Sequence, residues 1–225
     1  MPINIFICGV GGQGIGLMGD VLCETLVREG QQIMATETHG VAQRGGIVST
    51  HIRIGPGVRT PKICGGEADF VFALERLEGV RFAQSMLRPG GRLVFYDTVL
   101  QPQPTRSRGV HYPDDGDMAL LRERWKIQID SIYLEDLPGP QMQNVALLGR
   151  IAALHAVQGV TPESIRKILA QLLPKKILEM NLKVFDTAVQ YQPTASKARG
   201  ASNETHSDRQ NQFQKLRAFP IVAGT

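Results

Sequence analysis

At 225 residues the chain is long enough to bury one sizeable core, with at most a small appendage. A hydrophobic share of 42% and a charged share of 20% are those of an ordinary globular protein, and no apolar run approaches the roughly 18 residues of a membrane span. The net charge of +4 does not point to nucleic acid, because Lys197, Arg199, Arg209, Lys215 and Arg217 meet only Glu204 and Asp208 near the carboxyl end, so most of the excess is a property of the tail.

In chain order, Asn4-Ile5-Phe6-Ile7-Cys8 is a nearly continuous apolar run, the pattern of a strand buried on both faces. Nothing before it resembles a signal peptide, which predicts a cytoplasmic protein. A glycine-rich turn follows. Ile15, Met18, Leu22 and Leu26 then recur at helical spacing up to the stop at Gly30. Gln32 to Glu37 reads as a second strand, so the chain opens as a βαβ unit. Ile47 to Ile54 alternates with a period of two, which predicts an antiparallel or edge strand with one wetter face. Asp69 to Leu74 is another strand, Leu77 to Leu87 a helix ended by Pro89-Gly90-Gly91, and Arg92 to Tyr96 a further strand.

Residues 101 to 116 are rich in Pro, Gly and Asp and read as a connection, with one short strand at Val110 to Tyr112. Asp114-Asp115-Gly116-Asp117 is a turn leading into a helix. Ser131 to Leu134 is the predicted last strand. From Asn144 the period becomes helical, with Val145, Leu148, Ala152 and His155 in one stripe. Thr161-Pro162 is an N-cap followed by proline where its missing N–H costs nothing, and Pro174 separates that helix from another over Ile177 to Val189. The predicted fold is α/β, a Rossmann-like three-layer sandwich with a mostly parallel sheet and C-terminal helices. Residues 1–192 form the domain and 193–225 a polar, flexible tail.

Gly9-Val10-Gly11-Gly12-Gln13-Gly14 fits G-x-G-x-x-G, follows a strand and opens a helix. Glycines permit a tight turn and close backbone approach, and the free N–H groups of a helix start attract an anion. Glu37 stands about where the ribose-binding acid of a dinucleotide site would be, about 20 residues on. The expected cofactor-binding set on this side is Gly11, Gly12, Gln13, Gly14 and Glu37. Equally, the glycines, continued by Gly16 and Gly19, serve close packing of helix on strand. In Thr38-His39-Gly40-Val41-Ala42-Gln43-Arg44-Gly45-Gly46, an arginine between glycines offers a bidentate fork beside bare backbone, which adds Gln43, Arg44, Gly45 and Gly46 to the candidates. His39 is a possible proton carrier, though no partner for it is identifiable. Cys8, Cys23 and Cys64 are far apart and no CxxC exists, so the chain supplies no iron–sulfur or zinc ligand set and no metal site is predicted. Cys8 and Cys23 read as small buried hydrophobes. No certain catalytic residue emerges.

Taken together, Gly9 to Gly14, Glu37-Thr38-His39-Gly40-Val41-Ala42-Gln43-Arg44-Gly45-Gly46 and Val48 to Gly55 resemble the gamma domain of 2-oxoacid:ferredoxin oxidoreductases, most nearly the small beta subunit of the indolepyruvate type. Gly66-x-Ala68-Asp69, Ala73-Leu74-Glu75, Asn144 to Gly149 and Asn181 fit the same pattern, so the resemblance spans about residues 3 to 190. It implies an obligate subunit with no complete catalytic site of its own and no cofactor bound by this chain alone. Thiamine diphosphate, Mg2+ and iron–sulfur clusters would sit on a large alpha subunit, with coenzyme A as co-substrate and ferredoxin as electron acceptor. The reaction implied is oxidative decarboxylation of an aryl 2-oxoacid to its acyl-CoA. The competing expectation, from the glycine loop and Glu37 alone, is a stand-alone NAD(P)- or flavin-binding Rossmann protein.

Overall fold

A computed structural model describes residues 2–39, 46–99 and 112–192. The predicted tail, Val110 and His111 lie outside the described residues; Tyr112 is in no strand. In order the chain forms β1 (Ile3–Val10), α1 (Ile15–Arg28), β2 (Ile33–His39), β3 (Ile47–Ile54), β4 (Ala68–Ala73), α2 (Arg76–Met86), β5 (Leu87–Tyr96), α3 (Asp115–Trp125), β6 (Gln128–Ile132), a 3-10 turn (Pro140–Met142), α4 (Gln143–Ala153), α5 (Pro162–Leu172) and α6 (Lys175–Val189).

The six strands make one sheet in the order β2-β3-β1-β4-β5-β6. β1, β4, β5 and β6 are parallel neighbours, and only β3 runs against the rest. The mostly parallel α/β sandwich is therefore as expected, with two corrections of topology. β3 is antiparallel but is not an edge strand: it lies between β1 and β2. The opening β1–α1–β2 crossover consequently skips one place, and its strands are not neighbours. Strand alternation still works, because β3 turns Val48, Thr50, Ile52 and Ile54 inward onto the layer that holds α1.

Each face of the sheet is covered. On one side Ile5 and Ile7 of β1 meet Ile15, Met18, Leu22 and Leu26 of α1, all nearly water-free. The stripe of α1 thus faces the sheet as its spacing requires. α4 lies on the same side, and Val145, Ala146, Leu147, Leu148, Ile151 and Ala152 leave it almost no polar face. A helix apolar all round must be enclosed, and α6 encloses it. The approach is so close that a Cβ on Gly149 would come 2.7 Å from the Phe185 carbonyl oxygen. On the other side Phe6 and Cys8 of β1 pack with Val80 and Ala83 of α2 and Leu121 of α3. The Thr161 cap read from sequence holds, reciprocated by Ser164 at the start of α5, and the turn read at Asp114 to Asp117 proves to be a cap as well, Asp114 and Asp117 bonding reciprocally at the start of α3.

Three boundaries differ. β5 begins at Leu87, and Arg88 to Gly91 form a bulge within it, since Leu87 faces Ala68 while Arg92 already faces Phe70. β6 sits earlier, at Gln128–Ile132, because its pairing with Arg92–Tyr96 fixes its register. α4 ends at Ala153, and His155 leaves the predicted stripe, exposed and left-handed at φ 45°.

Candidate functional site

All the parallel strands deliver their carboxyl ends to one edge of the sheet, the edge where open α/β folds bind ligands. The glycine loop is here. Gly12 (φ 99°) and Gly14 (φ 80°) are left-handed, and Gly14 caps α1 with no side chain satisfying the first-turn N–H groups. Gly12 is exposed, with nothing within 4 Å of where a Cβ would be. To this extent the loop offers the bare backbone that its sequence predicts.

Gln13 does something else. It is only 5% exposed, its Oε1 accepts the Val10 N–H at 2.7 Å, and its Nε2 donates to the Leu74 carbonyl at 2.6 Å and to Gln143 Oε1 at 3.3 Å. The side chain thus bridges the carboxyl ends of β1 and β4, where the helices switch from one face of the sheet to the other. Gly9 makes room for it, since a Cβ there would come 2.8 Å from Gln13 Oε1. Gln143 extends the chain of amides to Thr98 Oγ1 at 3.5 Å, and Asn144 Nδ2 donates to the Gly14 carbonyl at 3.3 Å. The first turn of α4 is therefore bonded to the glycine loop. Gln143 and Thr98 were not singled out by sequence reasoning; the legible signal was a polar Gln143-Asn144 pair opening an otherwise apolar helix.

The two glycine stretches are joined directly, because the Gly11 N–H donates to the Gly46 carbonyl at 2.8 Å. Gln43, Arg44 and Gly45 lie outside the described residues, as does the His39 side chain. Glu37 lies in the last half of β2, two strand positions from β1, yet its carboxylate reaches the first turn of α1. Its oxygens are 3.5 and 3.6 Å from where a Cβ on Gly16 would project. Gly16 therefore opens a seat for an acid at the positive end of α1, which the helix dipole favours. Gly19 lets the same helix close onto Thr50 of β3, 3.2 Å from its projected Cβ.

Beside the loop, the start of α2 is acidic and buried. Glu75 accepts the Glu78 N–H at 2.8 Å, and Glu78 Oε1 pairs with Arg81 at 3.0 Å. Burial pushes the Glu78 carboxyl above its ordinary range, with Arg81 opposing. The Cys8 thiol is held well above its usual value by burial first and then by Glu78 and Glu75, and Cys23 is pushed up to about 11 by burial and Asp20. Neither thiol is a nucleophile near neutral pH. Cys8 is the buried small hydrophobe expected, whereas Cys23 is only partly buried and Cys64 is exposed. His51 accepts the Ile63 N–H on Nδ1 at 3.1 Å and meets Phe6 edge-on; burial and Lys62 hold its pKa down, so it is a neutral structural histidine. Among the described residues no three His, Cys, Asp or Glu side chains are grouped to hold a metal, and no helix is long and apolar enough to cross a membrane.

Residues 4–191 match the pyruvate ferredoxin/flavodoxin oxidoreductase family. Over 205 residues the chain is 30% identical to an indolepyruvate oxidoreductase subunit IorB from Archaeoglobus fulgidus, covering 87% of this chain and 100% of that one. An IorB subunit from Methanothermobacter thermautotrophicus is 34% identical over 82% of this chain and 95% of its own. The fold superposes with a TM-score of 0.58 on 2-oxoglutarate:ferredoxin oxidoreductase from Magnetococcus marinus, at 17% identity, over 90% of this chain and 33% of that longer one.

Proposed function

The chain belongs to the pyruvate ferredoxin/flavodoxin oxidoreductase family, and from that premise we propose that it is the small subunit of an indolepyruvate-type 2-oxoacid:ferredoxin oxidoreductase. The observation that carries this reading is the match, over 82 to 87% of this chain and 95 to 100% of theirs, with subunits named for indolepyruvate oxidoreductase. In the proposed complex a large alpha subunit holds thiamine diphosphate, Mg2+ and iron–sulfur clusters. There an aryl 2-oxoacid loses carbon dioxide and its acyl group joins the coenzyme A sulfur. The electron pair released passes to ferredoxin and the proton to solvent.

This chain's contribution is part of the rim of that site. The backbone of Gly11, Gly12, Gln13 and Gly14, with Glu37 and the Gln43-Arg44-Gly45-Gly46 stretch, would face the shared site. The Gln13 side chain serves it from behind, by fixing the loop to β4 and α4. Arg44, by its chemistry, is the group suited to a substrate carboxylate or a coenzyme A phosphate. Two features weigh against a self-contained dinucleotide site. Gln13 fills the crevice between β1 and β4, and the Glu37 carboxylate occupies the first turn of α1, where a pyrophosphate would meet its negative charge.

The test is 2-oxoacid-dependent reduction of ferredoxin by the large subunit with and without this chain. Turnover is expected only with both present, and equal rates would refute the assignment. Titration of the full chain with NAD(H), NADP(H) and FAD is expected to give no micromolar binding.

A further inference from the structure

The amino edge of the sheet, opposite the glycine loop, holds a cavity of about 500 Å3. This is a volume typical of small-ligand sites. It opens where β1, β4, β5 and β6 begin and α4 ends. Ile3, Phe70 and Leu154 give it an apolar wall, and Arg88, Arg92 and His155 give it cationic or donor groups. The bulge in β5 sets the arginines, since Arg88 enters it and Arg92 leaves it. Bulges often re-aim side chains beside functional sites.

Charge at this edge is incompletely cancelled. Arg88 Nε pairs with Asp69 Oδ1 at 2.6 Å, and the other carboxylate oxygen of Asp69 accepts the Asn4 N–H at 2.7 Å, so Asp69 is committed. Arg92 is held through Nε and Nη2 by Gln128 Oε1, a neutral amide that orients the guanidinium without neutralising it. The nearest acid to Arg92, Asp130, stands 3.8 Å away and is bonded more closely, at 3.2 Å, by Arg150. One carboxylate therefore serves two arginines, which leaves one positive charge over at a partly apolar cavity. His155 adds an exposed imidazole in a left-handed conformation that eight glycines, but among the described non-glycine residues only Lys126 besides it, also adopt. Residues kept in such conformations concentrate at ligand sites.

We infer that this cleft is a second binding site, for a small amphipathic anion whose apolar body lies on Phe70, Ile3 and Leu154 and whose carboxylate or phosphate head meets Arg92 and His155. Head and body are the two parts the wall chemistry distinguishes, and a guanidinium fork accepts either head. The site is separated from the glycine loop by the length of a strand, so it is independent of the reading of that loop.

The test uses the full chain with benzoate and phenyl phosphate as probes and acetate and inorganic phosphate as head-only controls, followed by calorimetry or ligand-observed NMR. At least one aromatic probe is expected to bind at least about tenfold more tightly than its head-only control, and which of the two does so identifies the head. Arg92→Gln is expected to weaken that binding about tenfold, and so is Arg88→Gln, a change at a half-exposed side chain that strips Asp69, itself on the cavity wall, of its ion-pair partner and sets its charge against the anion. His155→Gly is expected to weaken it several-fold while raising thermal stability, an effect that damage to the fold cannot produce. The inference is overturned by no binding of either aromatic probe, by head-only controls that bind equally well, or by affinities that neither arginine substitution changes.

Discussion

The two edges of this sheet use the same kinds of residue in opposite ways. At the carboxyl edge the polar side chains turn inward: Gln13, Gln143 and Asn144 bond to backbone and to one another, and what faces outward is glycine. At the amino edge polar side chains surround an open cavity, and their charge is only partly spent on neighbours. A G-x-G-x-x-G sequence thus does not by itself say where ligand-binding side chains are. Here its glutamine bonds across the crevice between β1 and β4 that a dinucleotide would occupy, and on the proposed reading another chain completes the rim.

The largest expected effect breaks the carboxyl edge. In Gly14→Ala the new Cβ falls on the Asn144 amide while φ stays at 80°. A left-handed alanine costs about 1–2 kcal/mol, and displacing a buried amide from its partner costs a similar amount, so unfolding in urea should show a loss of about 3 kcal/mol. Gly12→Ala, left-handed but facing open space, should lose only about 1–2 kcal/mol. Equal losses would mean that the α4 contact to Gly14 contributes nothing. Gln13→Ala leaves the Val10 N–H and the Leu74 carbonyl buried without this partner, and should cost about 2 kcal/mol by the same measurement.

How much of this was legible follows from what pattern encodes. The apolar runs of β1 and β4, the α1 stripe and the Thr161-Pro162 cap are local signals, and each appears where the sequence put it. The place of β3 between β1 and β2 is a matter of pairing partners, and alternation in Ile47–Ile54 carries no information about its neighbours. Gln13 and Glu37 were recognised as belonging to the site edge, but which way each side chain turns depends on Leu74, Gln143 and Gly16. The amino-edge cleft was not foreseen at all, because the β5 bulge that makes it reads as a plain Pro-Gly-Gly stop.

Buried titratable groups sharpen the contrast through pH. Glu78 beside the glycine loop has a carboxyl raised above 4.5 by burial, so the folded state binds the proton more tightly than the unfolded chain does. Its contribution should be fully present below 4.5 and lost as pH rises through the raised folded value, and Glu78→Gln should flatten that slope. His51, lowered from 6.5 by burial and Lys62, acts with the opposite sign: its contribution is present above 6.5 and lost as pH falls through the depressed folded value. Urea midpoints across pH for wild type, Glu78→Gln and His51→Gln separate the two, and identical profiles for all three would remove both groups from the account.

The smallest effect tests whether the amino edge is arranged for binding at some cost to stability. His155 and Lys126 both follow helices, α4 and α3, in the left-handed conformation where glycine is favoured. Replacing either with glycine removes about 1–2 kcal/mol of backbone strain, while losing a basic group at a helix carboxyl end gives back about 0.3–1 kcal/mol, so each variant should gain about 1 kcal/mol in urea unfolding. Lys126 lies outside the cleft wall, so Lys126→Gly should gain stability and leave anion binding unchanged. His155→Gly should gain as much and bind less. If both variants keep full binding, His155 is a helix stop and nothing more, and the ligand head must rest on Arg92 alone. If only His155→Gly loses affinity, the strained histidine is retained for what it contacts rather than for how it ends α4.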